Sequence, residues 1–257
     1  AIASIAGNGV STLSTSGTNE VIIGGSDFGP ACTGCVTGKY GGAQGDKYGP
    51  VSCDVIFNHN SIRCPTVAGV GNNLKWLIER ESLTSAISSA VVRYTSPAIT
   101  GLSGDATSAS TTHGGISIKL TGTNFGPANH SEIQVVYGTD SLNNKYTATS
   151  CSVISQTSIT CNTQAGVGSG LKWIVSVGGQ ASPRSTATTS YKLPVISGLS
   201  GAAVTGLSPT IGGMTISLSG TFFGPALQTE VEVQYGPGNS LGKYTASSCS
   251  VQSQTSI

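Results

Sequence analysis

The feature that most constrains this chain is an internal repeat with a period close to 97 residues. A Gly-x-x-Phe-Gly-Pro-Ala element occurs three times, with its central phenylalanine at Phe28, Phe125 and Phe223. Three further positions keep the same register: Tyr48, Tyr146 and Tyr244; Cys53, Cys151 and Cys249; Trp76 and Trp173. This period is too long for a solenoid repeat and fits a whole sandwich domain of about 100 residues. The sequence therefore predicts successive near-copies of one domain.

The repeat divides the chain into three predicted units. They are unit 1 (residues 1–96), unit 2 (97–193) and unit 3 (194–257). Unit 3 stops at Ile257, which corresponds to Ile159 of unit 2, before any counterpart of Cys161 or Trp173. A sandwich without those strands would leave a sheet edge unpaired. We therefore expect the chain to continue beyond Ile257; the alternative is that a neighbouring molecule supplies the missing strands by β-strand addition.

Short segments of each unit alternate between apolar and polar residues. Ile116–Leu120 and Met214–Leu218 both alternate, and so do Ile133, Val135 and Tyr137. A period of two indicates strands with one buried face, and the Gly-Pro and Gly-Gly pairs between them indicate turns. Apolar residues make up 37% of the chain, which argues against disorder. The predicted fold class is all-β, with six or seven strands per unit packed as two sheets.

The repeated elements resemble those of the IPT/TIG family of immunoglobulin-like domains. The shared features are the Gly-x-x-Phe-Gly-Pro element, a Tyr-Gly pair after the next strand, a pair of cysteines and a late Trp-x-Val strand. The resemblance covers essentially the whole chain and implies tandem immunoglobulin-like β-sandwiches arranged in series. Family members are extracellular modules of cell-surface receptors, accessory domains of carbohydrate-active enzymes and parts of long surface arrays, and some intracellular transcription factors carry one such domain to bind DNA.

Two pairs of cysteines are spaced for disulfides across a hairpin. A hairpin centred on Gln156 with a three-residue turn places Cys151 opposite Cys161, close enough to bridge. The interval from Cys53 to Cys64 is one residue longer, and a two-residue Asn58-His59 turn restores the same pairing. We expect two disulfides and an oxidising compartment, the alternative being reduced buried cysteines. The repeat predicts a partner for Cys249 beyond Ile257.

Cys32 and Cys35 form a lone Cys-x-x-Cys motif that has no counterpart in the other units. The motif is compatible with a redox site or with half of a metal site. Neither is favoured, because no βαβ pattern surrounds it and no second pair stands at metal-ligand spacing. We expect a small disulfide that closes a loop.

The repeated aromatic residues have two interpretations. Trp76 and Trp173 would suit sugar-stacking platforms, but they also alternate in phase with apolar neighbours on a late strand. A core position between two sheets is therefore the favoured role. The phenylalanines of the repeated element are likewise expected to fill the core beside a turn.

Several positions are candidates for glycosylation. Asn129-His130-Ser131 is the one N-x-[ST] sequon, and it follows a Phe-Gly-Pro turn, so we expect Asn129 to be exposed and N-glycosylated. Three clusters rich in serine and threonine resemble O-glycan acceptors: residues 11–16, 107–112 and 182–190. Ordinary polar strand edges would have the same composition, and the sequence leaves both interpretations open.

No catalytic, cofactor or metal site emerges from the sequence. His59, His113 and His130 stand at unrelated positions of the repeat, away from any recurring serine and carboxylate. The sparse carboxylates form no cluster suited to calcium: Asp27, Asp46, Asp54, Asp105, Asp140, Glu132, Glu230 and Glu232. Charged residues make up 9% of the chain and the net charge is +1, so nucleic acid is not an expected partner. No apolar run is long enough to span a bilayer, so no membrane contact is expected within these residues.

These observations favour a non-catalytic extracellular or cell-surface protein with a structural or adhesive role. The last strand of unit 2 continues into unit 3 through Tyr191–Ile196 with almost no linker, and such short junctions restrict bending. We expect a rod, stalk or fibre, glycosylated, whose partners are neighbouring copies of the same repeat or chain. The alternative is a ligand- or carbohydrate-binding ectodomain segment of a receptor or of a larger secreted enzyme. Unit 1 is then the candidate for binding, because it diverges most: Cys32, Cys35, Asp46, Glu79, Arg80 and Glu81.

Overall fold

The computed structural model describes residues 1–7, 12–142, 144–206, 208–227, 230–240 and 242–257. Ser11, in the first serine and threonine cluster, lies outside the described residues. The described chain is almost entirely strands and turns, which confirms the all-β immunoglobulin-like fold class. No helix in these ranges is long and apolar enough to cross a membrane.

Unit 1 forms one continuous sheet that encloses a single core. Its strands are β1 (Ile2–Ala6), β2 (Glu20–Gly25), β3 (Cys32–Tyr40), β4 (Tyr48–Phe57), β5 (Ser61–Pro65), β6 (Leu74–Arg80), β7 (Leu83–Thr84) and β8 (Val91–Val92). The order is β1-β2-β5-β4-β3-β6-β7, and β8 also pairs with β6. Alternate residues of both halves of the sheet, among them Ile23, Ile62, Tyr40 and Trp76, meet in one buried cluster.

Unit 2 has counterparts of all these strands, with that of β4 split in two, and they are divided between two separate sheets. They are β9 (Ala98–Ser103), β10 (Ser117–Thr123), β11 (Ile133–Gly138), β12 (Tyr146–Thr147), β13 (Thr149–Ser155), β14 (Ser158–Asn162), β15 (Leu171–Val177), β16 (Gln180–Ala181) and β17 (Thr188–Thr189). One sheet has the order β13-β14-β10-β9 and the other β12-β11-β15-β16, with β17 on β15. The two sheets are joined in unit 1 because β4 is continuous and pairs with both β3 and β5. Its counterpart in unit 2 is interrupted, so that β12 pairs with β11 while β13 pairs with β14.

The cysteine hairpins pair as expected, but their turns differ from the expectation. Val153 lies opposite Ile159 and Val55 opposite Ile62. A register shift before each turn then pairs Ser155 with Ser158, which leaves two turn residues in unit 2. The same shift in unit 1 leaves the three residues 58–60. The predicted turn lengths were wrong because a β-bulge moves one strand by a residue, and the spacing of the cysteines does not reveal it.

Unit 3 contains two small sheets within its described residues. The strands are β18 (Val195–Ser200), β19 (Ser217–Thr221), β20 (Gln234–Tyr235) and β21 (Tyr244–Thr245), with one helical turn, α1 (Ala202–Thr205). β18 pairs with β19, and β20 pairs with β21. Ile257 exchanges backbone hydrogen bonds with Leu218 and so lies along β19, where β14 lies along β10 in unit 2.

Candidate functional site

The structure joins three pairs of cysteines. Cys53–Cys64 and Cys151–Cys161 cross the hairpins β4–β5 and β13–β14 inside the cores of units 1 and 2. Cys32–Cys35 links two residues within β3, not a separate loop, where the pairing of β3 with β4 shifts register. Cys249 has no disulfide partner among the described residues. Three disulfides favour an oxidising compartment, as in secreted and cell-surface proteins.

Both tryptophans lie in the core rather than on the surface. Trp76 and Trp173 are fully buried, and each stacks on a tyrosine, with centroids 4.4 Å apart for Tyr40 and 4.1 Å apart for Tyr137. The hydroxyls of these tyrosines pair with those of Tyr94 and Tyr191. Burial raises the pKa of both Tyr94 and Tyr191, so the hydroxyls remain neutral. A sugar-stacking role for either tryptophan would require a surface that neither has.

The histidines and carboxylates weighed from the sequence occupy separate places in the fold. Among the described residues there is no group of three histidine, cysteine or acidic side chains close enough to hold a metal ion. His130 has a structural position, since its Nε2 lies 2.8 Å from the Phe125 carbonyl and its Nδ1 accepts from the backbone N–H of Glu132. His59 lies in the turn after β4.

The candidate glycosylation sites fall into two groups. Asn129 is exposed, and its N-glycosylation stays a prediction. Thr107, Ser108, Thr186 and Thr188 are also exposed. The other hydroxyls of the last two clusters are not all available, because several are buried: Ser110, Thr112, Ser182, Ser185 and Thr189. The buried serines of the last cluster accept backbone N–H groups of β15, as an ordinary strand edge would.

The site that the structure does build, twice, is a junction between successive units. On the first side of each junction, a tyrosine holds a valine. The hydroxyl of Tyr48 donates to the Val70 carbonyl at 2.6 Å and accepts from the Val70 N–H at 2.9 Å. Tyr146 makes the same two bonds to Val167, at 2.7 and 2.9 Å. The loop that carries each valine is therefore fixed on the body of its own unit.

Each valine packs against a glycine of the following unit. A Cβ atom at Gly126 would overlap Cγ1 of Val70, and a Cβ at Gly224 would lie 2.5 Å from Cγ1 of Val167. Only glycine permits this approach. Val70 is buried within the core cluster of unit 2, although it belongs to the sequence of unit 1. The first junction therefore extends the core of one unit into the next.

A salt bridge crosses each junction beside the valine. Lys47 Nζ lies 2.6 Å from the carboxylate of Glu132, and Lys145 pairs with Glu230. Each lysine also lies over the ring of the following tyrosine, 5.0 and 5.3 Å from the centroid. Burial lowers the pKa of Lys47, but hydrogen bonds to Glu132 and Tyr48 outweigh it, and the net pKa is raised. Burial lowers the pKa of Lys145 as well, but its interactions with Glu230 and Tyr146 together outweigh this effect, so both lysines stay charged at neutral pH.

A glutamine of the following unit reaches back to a threonine carbonyl. Gln156 Nε2 donates to the carbonyl of Thr15 at 2.7 Å, and Gln254 Nε2 donates to that of Thr112 at 3.0 Å. At the first junction, Gln180 adds a bond of 3.1 Å to the Tyr94 carbonyl. The valine, lysine and glutamine contacts thus recur at both junctions, offset by one repeat.

None of the junction residues was assigned from the sequence to a contact between units, although a signal was present. Lys47, Lys145 and Lys243 precede the repeated tyrosine, and Gln156 matches Gln254. These polar residues recur in register, although the fold of one isolated domain does not require a polar residue at their positions. Recurrence of that kind indicates contact between units rather than packing within one.

Comparisons with known proteins bear on the family. Residues 97–192 match the model of the IPT/TIG domain. A search of curated proteins found no match to this chain. Among solved structures, the surface glycan-binding protein PbSGBP-B from Prevotella bryantii is similar at 15% identity and a TM-score of 0.46; the match covers 74% of this chain and 42% of that one.

Two further solved structures are similar at lower TM-scores. SGBP-B from a complex xyloglucan utilization locus in Bacteroides uniformis is 14% identical, with a TM-score of 0.30 and coverage of 85% of this chain and 61% of that one. The FN1–FN3 domains of chicken CNTN1 are 13% identical, with a TM-score of 0.28 and coverage of 98% and 85%. This chain spans less than two thirds of either bacterial protein.

Proposed function

Residues 97–192 belong to the IPT/TIG domain family, and from that premise we propose that the chain is a non-catalytic structural or adhesive protein of the cell exterior. Its units build a rod, stalk or fibre by docking end to end. The observation that carries the proposal is the recurrence of one junction, in which Val70, Lys47 and Thr15 are replaced by Val167, Lys145 and Thr112.

A repeated junction of this kind has a defined geometric consequence. The two sides of the junction are different surfaces, so each unit can receive one neighbour and dock onto another. Contacts that repeat with the sequence hold each unit in the same relation to the one before, as in solenoid arrays. The result is a linear series with a fixed twist rather than beads on flexible linkers.

At the first junction the buried Val70 supplies more energy than the polar contacts, which set the orientation; Val167 at the second junction is only half-buried and contributes less. Full burial of a valine side chain stabilises by about 1.5–3 kcal/mol. A partly exposed Lys–Glu pair contributes less than about 1 kcal/mol. Charge pairs and hydrogen bonds instead penalise wrong arrangements, because a misdocked unit leaves them unpaired. The junction therefore favours one angle between units.

Location and glycosylation are part of the same proposal. The three disulfides support an extracellular or cell-surface site. Asn129 is exposed, and its N–H donates to the Val153 carbonyl of β13, so a glycan on its side chain has room to extend. Intact-mass measurement of the natively produced chain, before and after removal of N-glycans, tests this part; an unchanged mass would remove it.

A ligand- or carbohydrate-binding ectodomain is the second candidate. Phe57 favours it, since its side chain is 70% exposed, whereas the other described aromatic residues of units 1 and 2 are buried or half-buried. An exposed ring is the group on which a sugar or an apolar partner stacks. Specific binding of an oligosaccharide that Phe57→Ala abolishes would support this function over the structural one.

The junction is tested most directly at Gly224. In Gly224→Ala the added methyl overlaps Val167, so we expect small-angle X-ray scattering to report a broader and longer distribution of molecular dimensions. Gly213→Ala is the matched control, because Gly213 has a similar φ of +86° against +98° but no atom within 4 Å of a Cβ. Gly224→Ala combined with Val167→Ala removes the overlap and should partly restore the wild-type profile.

Two results would overturn the proposal. One is a wild-type chain whose scattering already requires independently moving units. The other is a Gly224→Ala profile identical to that of Gly213→Ala, since the contact with Val167 would then fix nothing.

A further inference from the structure

The outer face of unit 1 is the surface that, in units 2 and 3, docks onto the preceding unit. In register with the junction residues of unit 2, it consists of Gly29, Cys35, His59, Arg80, Glu81 and Leu83. Of these six residues, only Gly29 is identical to its counterpart in unit 2. The corresponding residues of unit 2 are Gly126, Glu132, Gln156, Val177, Gly178 and Gln180.

The polar half of the junction is missing from this face. Cys35 stands where Glu132 and Glu230 receive a lysine, and it is committed to the disulfide with Cys32. His59 stands where a glutamine donates to the threonine carbonyl of the preceding unit. Without the carboxylate, this face leaves unpaired the lysine that a preceding unit would present, and the shorter ring of His59 stands in place of the carboxamide.

The apolar half of the junction is already filled from within unit 1. The guanidinium of Arg80 hydrogen-bonds to the Phe28 carbonyl and lies against Gly29, where a Cβ would meet it. That is the place taken by Val70 at Gly126 and by Val167 at Gly224. An arginine of unit 1 therefore occupies the position into which the valine of a preceding unit would insert.

A second close approach is blocked as well. At the first junction Gly178 lies so near Gly71 that a Cβ would come within 2.5 Å of the Gly71 nitrogen. Unit 1 has Glu81 at this position, with a full charged side chain on a left-handed backbone of φ +48°. Docking of a preceding unit in the same geometry would press this carboxylate into its backbone.

We infer that unit 1 is a cap: the repeated junction does not continue past its outer face. This inference rests on the proposed docking of units 2 and 3, and it adds that the series has a built-in end. Repeat arrays commonly use terminal units whose outer surface is changed in this way, because an unaltered junction surface would remain open to further association.

The test places an extra unit in front of the existing chain. A second copy of residues 97–194 is fused directly before Ala1, which reproduces the natural spacing because Ala1 corresponds to Val195. The extra unit is isotopically labelled by segmental ligation, and NMR relaxation measures how fast it tumbles. With the native outer face we expect the extra unit to tumble independently of the rest.

Two variants, in which the outer face of unit 1 is changed toward that of unit 2, make the test more decisive; we call them the restored faces. The first carries Arg80→Val and Glu81→Gly, which remove the obstructions and leave the disulfide intact. The second adds Cys32→Ala, Cys35→Glu, His59→Gln and Leu83→Gln to restore the polar partners. We expect tumbling of the extra unit to slow toward that of the whole chain, more in the second than in the first. Formation of the Cys53–Cys64 disulfide, read by mass spectrometry, checks that unit 1 has folded.

The outcomes separate the cap from the proposed function. An extra unit that docks on the native face overturns the cap, and so does one that stays free on both restored faces in folded chains. The junction between units 1 and 2 is measured in the same molecule by labelling unit 2 instead. If units 1 and 2 tumble independently of each other, the proposed docking itself fails, whatever the extra unit does.

Discussion

Units 2 and 3 share most of their pattern, yet the described residues close the core of unit 2 and leave that of unit 3 open. Tyr137 is 1% exposed and stacks on Trp173, while its counterpart Tyr235 is 55% exposed. Ile118 is fully buried, while its counterpart Ile216 is 45% exposed. The same residue types therefore reach different environments, because the described part of unit 3 holds no counterpart of β15.

The comparison separates what folds locally from what needs distant strands. Leu218 and Phe223 are buried in unit 3, as their counterparts are in unit 2. Phe223 donates its N–H to the Gln254 carbonyl, just as Phe125 donates to that of Gln156. The Gly-x-x-Phe element thus needs only the hairpin turn beside it to reach its buried position. The tyrosines of the opposite sheet become buried only when the strand that carries the tryptophan packs on them, and that strand lies further along the repeat.

The largest difference between the two units is expected from a matched pair of substitutions. Ile118→Ala removes a fully buried side chain and should lower the free energy of unfolding of unit 2 by about 2–5 kcal/mol. Ile216→Ala removes a half-exposed one and should change the stability of unit 3 by no more than about 0.5 kcal/mol. Hydrogen exchange of peptides covering β10 and β19 measures each effect in the intact chain. Equal losses in both units would contradict the contrast drawn here.

A graft should convert the open unit into a closed one. Residues 160–193 of unit 2 are added directly after Ile257, which corresponds to Ile159. The grafted cysteine then stands opposite Cys249, and we expect a disulfide that stabilises unit 3 by about 2–4 kcal/mol. Alkylation followed by mass spectrometry should find no free thiol, against one in the parent chain.

The control for the graft replaces its cysteine by serine. That chain should keep the free thiol of Cys249 but still bury Tyr235 and Tyr244, seen as slower exchange of β20 and β21. If neither β20 nor β21 gains protection in either graft, the lack of strands corresponding to β15–β17 does not explain the exposure of Tyr235 and Tyr244.

The sequence predicted the repeat, the strands and the cysteine pairing because each depends on contacts within one unit. Val55 opposite Ile62 follows from alternation alone. The bulges before the turns could not be predicted, since a bulge leaves the pattern of buried residues intact on both sides. The junctions were missed for a different reason. Val70 reads as an ordinary loop residue until the core of unit 2, in which it is buried, is known.

The smallest expected effect is a difference between the two units in how their stability depends on pH. Asp140 accepts hydrogen bonds from Lys172 and Arg184, which lie on and after β15, and its counterpart in unit 3 is Gly238. Bonds from Lys172, then Arg184, lower the pKa of Asp140 below its usual 3.8. A carboxyl with a lowered pKa contributes stability that is present above pH 3.8 and is lost as the pH falls through its folded-state value.

Wild-type unit 2 should therefore lose part of its stability below pH 3.8, and Asp140→Asn should remove that part of the loss while unit 3 is unaffected. The carboxylate is largely exposed, so the effect is modest. Thermal unfolding followed from pH 6 to 2 measures it, with Asp105→Asn as control, because no ion pair of Asp105 occurs among the described residues. If Asp140→Asn and the control show the same acid sensitivity as wild type, the strand that closes unit 2 does so by apolar packing alone. The Asp140 ion pairs would then add nothing to the difference between the closed and the open unit.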